Sequence, residues 1–114
     1  MAIIDISAKL TDAKPILKIG ENPEDQYVID DRKNTILEVQ QMFENAIGNN
    51  DISSAGKAIE IILGKEAVED IKKKWPEALE SISSLKVLYI GISAGIQGIS
   101  YEEAEARFLE ETKV

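Results

Sequence analysis

One stretch constrains this chain more than any other: residues 75–96, WPEALESISSLKVLYIGISAGI, which hold the only Trp and the longest apolar run. Read at helical spacing, Leu79, Ile82, Leu85, Leu88 or Tyr89, Ile92 and Ile96 fall on one stripe and predict an amphipathic helix. Pro76 suits the first turn, where its missing N–H would have had no partner, and Gly98 suits the stop. Between residues 87 and 96 the apolar positions spread round the whole helix. Val87, Leu88, Tyr89, Ile90, Ile92, Ala94 and Ile96 leave almost no polar face, and such a helix is buried on several sides. The expectation is a central helix with the others packed round its C-terminal half. Nothing in it is chemically reactive.

Before this stretch the pattern changes twice. Ile16, Leu17 and Ile19 follow Pro15, and Tyr27, Val28 and Ile29 follow the turn-rich GENPEDQ. Two short apolar runs joined in this way predict a β-hairpin, residues 16–19 against 27–29. The first ten residues, with β-branched Ile3, Ile4 and Ile6, read as a further strand or a flexible arm. A helix is expected over 32–48, capped by Asp30 or Asp31 and ended by Gly48-Asn49-Asn50. Another covers about 53–63, with Asp51 or Ser53 as cap and Gly64 after its end. A short helix, 65–74, carries Ala67, Val68 and Ile71 inward and ends on Lys72–Lys74, which favours the negative pole of the helix dipole. The last helix starts at Ser100, where Ser100-x-x-Glu103 forms a capping box and Ile99 is placed to staple onto Ala104. The fold class is therefore mainly α: about five helices round a long central helix, with an N-terminal β-hairpin. At 114 residues one domain is expected, with 1–30 as arm and hairpin and 31–114 as helical core.

Charge and composition exclude more than they propose. The net charge of −8 is spread evenly, with 5 basic and 9 acidic groups in residues 1–50 and 8 and 12 in residues 51–114. There is no basic patch beyond Lys72–Lys74, so nucleic-acid binding is disfavoured, because Lys and Arg supply most of that affinity. The acidity reads as solubility; a nucleic-acid mimic would need carboxylates gathered on one face, and here they are scattered. The opening MAIIDISAKL lacks a basic region and carries Asp5 within its apolar segment, so it does not read as a leader. Residues 87–96 are too few to span a bilayer. With no Cys there is no disulfide framework or thiolate metal site, and a cytoplasmic location is expected.

No set of residues supplies catalysis. The chain has no His, which removes the commonest general base and metal ligand. Asp30/Asp31, Glu69/Asp70, Glu102/Glu103 and Glu110/Glu111 are adjacent pairs, and on a helix adjacent side chains diverge. Glu66 and Asp70 share a face but have no softer ligand beside them. Gly91, Gly95 and Gly98 sit in a helix end, not in a strand-to-helix phosphate loop. A protein that is not an enzyme and takes no cofactor or metal is expected, which leaves binding or assembly.

The downstream residues, AIEIILGKEAVEDIKKKWPEALESISSLKVLYIGISAGIQGISYEEAEARF, resemble the tail assembly chaperones of long-tailed bacteriophages and prophages. The resemblance rests on the corner Leu63-Gly64-Lys65-Glu66-Ala67, on a short helix followed by a long one, and on the closing Glu103-Ala104-Glu105-Ala106-Arg107-Phe108. It implies binding to the tape-measure protein and help in recruiting tail tube subunits, in the cytoplasm of a bacterial host. The alternative is a small acidic helical adaptor or regulatory module. Partner contact is expected from apolar groups that a small core can spare: Ile3 and Ile4 in the arm, Ile16 and Leu17 on the hairpin, and Tyr89, Ile92 and Ile96 on the central helix. For the last three, plain core is the competing reading. Self-association into a homo-oligomer is a further expectation, from the apolar arm.

Overall fold

The structure, a computed structural model, describes residues 2–12 and 14–111. Met1, Ala13 and residues 112–114 lie outside the described residues. The order is α1 (Ser7–Asp12), β1 (Ile16–Lys18), β2 (Gln26–Val28), α2 (Lys33–Gly48), α3 (Ile52–Leu63), α4 (Lys65–Lys74), a 3-10 turn (Pro76–Leu79), α5 (Ile82–Gln97) and α6 (Tyr101–Glu111). The fold is mainly helical with one small antiparallel hairpin, as its sequence patterning predicts. No single helix among the described residues is long and apolar enough to cross a membrane.

Most helix ends follow their local chemistry. Asp51 caps α3, its carboxylate accepting the Ser54 N–H at 3.1 Å. Ser100 Oγ accepts the Glu103 N–H at 3.2 Å at the start of α6. At the end of α2, Asn50 takes a left-handed φ of 55°. The Asn50 N–H then donates to the Ile47 carbonyl and the Asp51 N–H to the Ala46 carbonyl, a Schellman closure with Asn where Gly is more usual.

Three expectations are corrected. The central helix starts at Ile82, not at residue 75. Trp75 cannot stay helical before Pro76, because the proline ring crowds the preceding residue, and it sits at φ −132° and ψ 77°. A 3-10 turn then closes through Glu80 N–H to the Glu77 carbonyl, and the chain restarts at Ser81, whose Oγ accepts the Ser84 N–H at 3.1 Å. Neither Asp30 nor Asp31 caps α2; Arg32 holds that position without a side-chain bond. Asp30 instead accepts the Arg32 guanidinium at 2.6 Å and the Thr35 hydroxyl at 3.2 Å. Arg32 holds the Asp30 carboxyl well below its ordinary range, at about 2. In the N-terminal segment residues 7–12 form a short helix in place of a strand, because Asp5 accepts both the N–H and the hydroxyl of Ser7 and so starts a turn.

Helix α5 is the hub. Leu85 and Ile92 are fully buried, and α5 packs against α3, α6, β1 and the 3-10 turn. Tyr89 stacks on Phe43 of α2, with ring centroids 4.1 Å apart, and meets Phe108 of α6 edge-on at 5.8 Å. Gly91 and Gly95 face the hairpin, which lies so close that added Cβ atoms would meet Leu17 and Ile29. Each large apolar side chain fully buried here contributes about 1.5–3 kcal/mol.

Candidate functional site

An apolar concavity lies where α4 gives way to α5. Ile19, Trp75, Ala78, Val87 and Leu88 line an open groove of about 580 Å³, with Lys74 and Glu77 at its rim. The break at Pro76 creates it. A continuous helix would have carried the chain past α5, whereas the 3-10 turn folds back onto α5 and leaves Val87 uncovered. Val87 is 55% exposed and gives the groove an apolar wall on α5. Trp75, half-buried, supplies a flat apolar wall with an N–H at its edge.

A charged network fixes the hairpin wall of this groove. Lys74 Nζ lies 2.9 Å from Asp25 and 3.2 Å from Asp70, and the Tyr27 hydroxyl donates to Asp70 at 2.6 Å. Asp25 is only 4% exposed, and a buried carboxylate needs such a partner. The Lys74 ammonium draws the Asp25 carboxyl below its usual range, and the hydrogen bonds from Tyr27 and then Lys74 do the same for Asp70. Burial, followed by the bond to Asp70, pushes the Tyr27 hydroxyl up to about 12. Gly20 leaves room for this arrangement, since a Cβ there would collide with the Asp25 carboxylate. The network ties the hairpin loop to the last turn of α4. Its groups hold one another in fixed charge states, which suits a clamp.

The residues singled out in the sequence are dispersed. Tyr89 and Ile96 come together with Ile36 and Phe108 in a smaller cleft of about 210 Å³ between α2 and α6. Ile92 is 1% exposed; its expectation as a contact residue is corrected, because it points into the core and has no surface to offer. Leu17 is partly buried against α5, whereas Ile16 stands half-exposed opposite Val28. Ile3 and Ile4 are the most exposed large apolar residues described. Sequence reasoning missed the groove because it counted Trp75 and Val87 as part of one continuous buried helix. The signal was present in Ser81, a capping residue just before an apolar-periodic run.

Among the described residues, no three carboxylates gather closely enough to hold a metal ion. Every buried side-chain nitrogen and oxygen there has a hydrogen-bond partner. The surface therefore presents apolar recesses with charged rims. No family model, curated protein or solved structure matches this chain.

Proposed function

We propose that the protein is a binding protein for an amphipathic helix and serves as a tail assembly chaperone of a long-tailed phage or prophage, working in the host cytoplasm. The observation that carries the binding reading is the groove between Trp75 and Val87. An open apolar trough beside a helix is the surface into which a partner helix lays its apolar face. The groove offers apolar surface from Ile19, Trp75, Val87 and Leu88 and both signs of charge through Lys74 and Glu77. The resemblance in residues 63–67 and 103–108 supplies the partner: the long helical tape-measure protein, with tail tube subunits recruited afterwards. Many copies along one long target gain from multivalency even when each contact is weak, and a net charge of −8 keeps the covered complex dispersed.

The test is co-expression with the tape-measure protein of the same genome, followed by pull-down. The expected result is that the large protein becomes soluble and co-purifies, and that Val87→Glu abolishes capture while leaving this protein folded. If the large protein is insoluble either way, or soluble without help, the chaperone reading falls and the small acidic adaptor replaces it. Capture untouched by Val87→Glu would move the contact away from the groove.

A further inference from the structure

We propose that residues 2–6 of one copy dock as a third strand on the open edge of β2 in a second copy, so that the protein self-associates by exchanging its N-terminal arm. The pairing pattern of the hairpin makes that edge available. Ile19 N–H donates to the Asp25 carbonyl at 3.0 Å and Ile29 N–H to the Pro15 carbonyl at 2.9 Å. With Leu17 opposite Tyr27, the ladder bonds fall on pairs 15/29, 17/27 and 19/25, the two outer pairs making one bond each because Pro15 has no N–H and the Asp25 N–H donates to the Asn22 carbonyl, and pairs 16/28 and 18/26 are non-hydrogen-bonded. The N–H and C=O groups of Gln26 and Val28 therefore point away from β1, to a side where the two-stranded sheet has no further member. The opposite edge is different: α5 covers it, and a Cβ on Gly95 would lie 3.9 Å from the Ile16 carbonyl oxygen.

Beyond β2 lies a trough of about 550 Å³ between Tyr27 and Val28 on one side and Leu63, Gly64 and Ala67 on the other, with Lys65, Glu66 and Asp70 also lining it. On the outward face Ile16 and Val28 oppose each other directly, both more than half exposed. An unpaired edge flanked by apolar side chains is a template for β-addition.

The same chain carries a segment that matches it. Ile3 is 90% and Ile4 82% exposed, and residues 2–6 have no regular structure of their own. In an extended strand Ile4 and Ile6 share one face and Ile3 takes the other. One face would fill the trough, and the other would extend the Ile16–Val28 pair. The arm is not on its own edge, since the sheet has two strands among the described residues and Ile3 and Ile4 are exposed. The Asp30 N–H to Ile62 carbonyl bond at 2.9 Å holds the chain that leaves β2 against the end of α3. The arm instead stays exposed on a molecule 57 Å long, whose radius of gyration is 15.2 Å, against about 13 Å for a compact chain of this size.

Sedimentation equilibrium of the full chain tests this without reference to any other protein. The expected result is concentration-dependent association, weakened at least about tenfold by Ile4→Asp with Ile6→Asp and, separately, by Val28→Lys. These positions are exposed, so far-UV circular dichroism should remain that of the parent. The chain has no native Cys, so a chain bearing Ile4→Cys can be mixed with one bearing Val28→Cys, and oxidation should join them. A monomer at all concentrations overturns the proposal, as does an oligomer indifferent to Val28→Lys. An intramolecular disulfide in a monomeric chain carrying both cysteines would place the arm on its own edge and also overturn it.

Discussion

Gly91→Ala and Gly95→Ala make the same chemical change one turn apart on α5, and the structure expects opposite outcomes. In a helix interior, replacing Gly by Ala stabilises by about 1 kcal/mol. At residue 95 the added Cβ would lie 2.9 Å from Ile29 Cδ1, with Pro15 Cβ at 3.8 Å behind it. Carbon atoms settle at about 3.5–4.0 Å, so Ile29 must retreat by most of an ångström. It is 1% exposed and has nowhere to go. Overpacking of this kind costs about 1–3 kcal/mol, which leaves Gly95→Ala destabilised by about 1 kcal/mol after the helical gain. At residue 91 the neighbour is Leu17 Cδ1 at 3.1 Å, the free end of a partly exposed side chain that can rotate aside. Gly91→Ala should therefore stabilise by about 0.5 kcal/mol. Urea unfolding followed by circular dichroism reads the difference as opposite shifts of midpoint at constant slope. Ile29→Val removes the obstructing methyl, so Gly95→Ala in that background should turn stabilising, with a coupling of about 1–2 kcal/mol. If Gly95→Ala stabilises as much as Gly91→Ala, or if Ile29→Val leaves its cost unchanged, the hairpin is not seated on α5 as described.

Other outcomes follow from single features. Ser81→Ala removes the α5 cap and should cost about 1 kcal/mol of stability, read by the same unfolding assay. Gly56→Ala, mid-helix in α3 with no atom within 4 Å of the new Cβ, should stabilise by up to about 1 kcal/mol. Asp25, Asp30 and Asp70 all bind protons less readily in the folded chain than in the unfolded one. Their contribution is therefore complete above pH about 4 and is lost as the pH falls towards 2, and a pH series of urea midpoints should decline over that window. Lys74→Met removes the cation that lowers Asp25 and should flatten part of that decline.

Much of this fold is legible in its sequence because the information is local. Asp51 before Ser54, Ser100 before Glu103, and Gly98 after the α5 run each place a helix end through a bond within three or four residues. The hairpin reads from two apolar runs and the turn-rich segment between them. The apolar breadth of residues 87–96 announces a hub, and α5 is packed on several sides. What sequence reading could not arbitrate was competition between neighbouring local signals. Pro76 as a helix start and Ser81 as a helix start are both sound, and only the packing of the 3-10 turn on α5 selects the second. That choice opens the groove at Trp75 and uncovers Val87, so the candidate site was invisible where the helix boundary was misplaced.

The sequence by itself determined that this chain is a mainly helical, acidic protein with a central apolar helix, because periodicity and composition are properties of the chain alone. The tertiary structure decided which apolar residues are spent and which are spare. Ile92 and Val87 lie five residues apart on the same helix; helical spacing puts Ile92 on the apolar stripe and Val87 off it, but it does not say how far either is covered. Ile92 is 1% exposed and Val87 is 55% exposed because the surrounding elements cover α5 unequally. Exposure is set by what lies across the gap, and residues distant in the chain supply it.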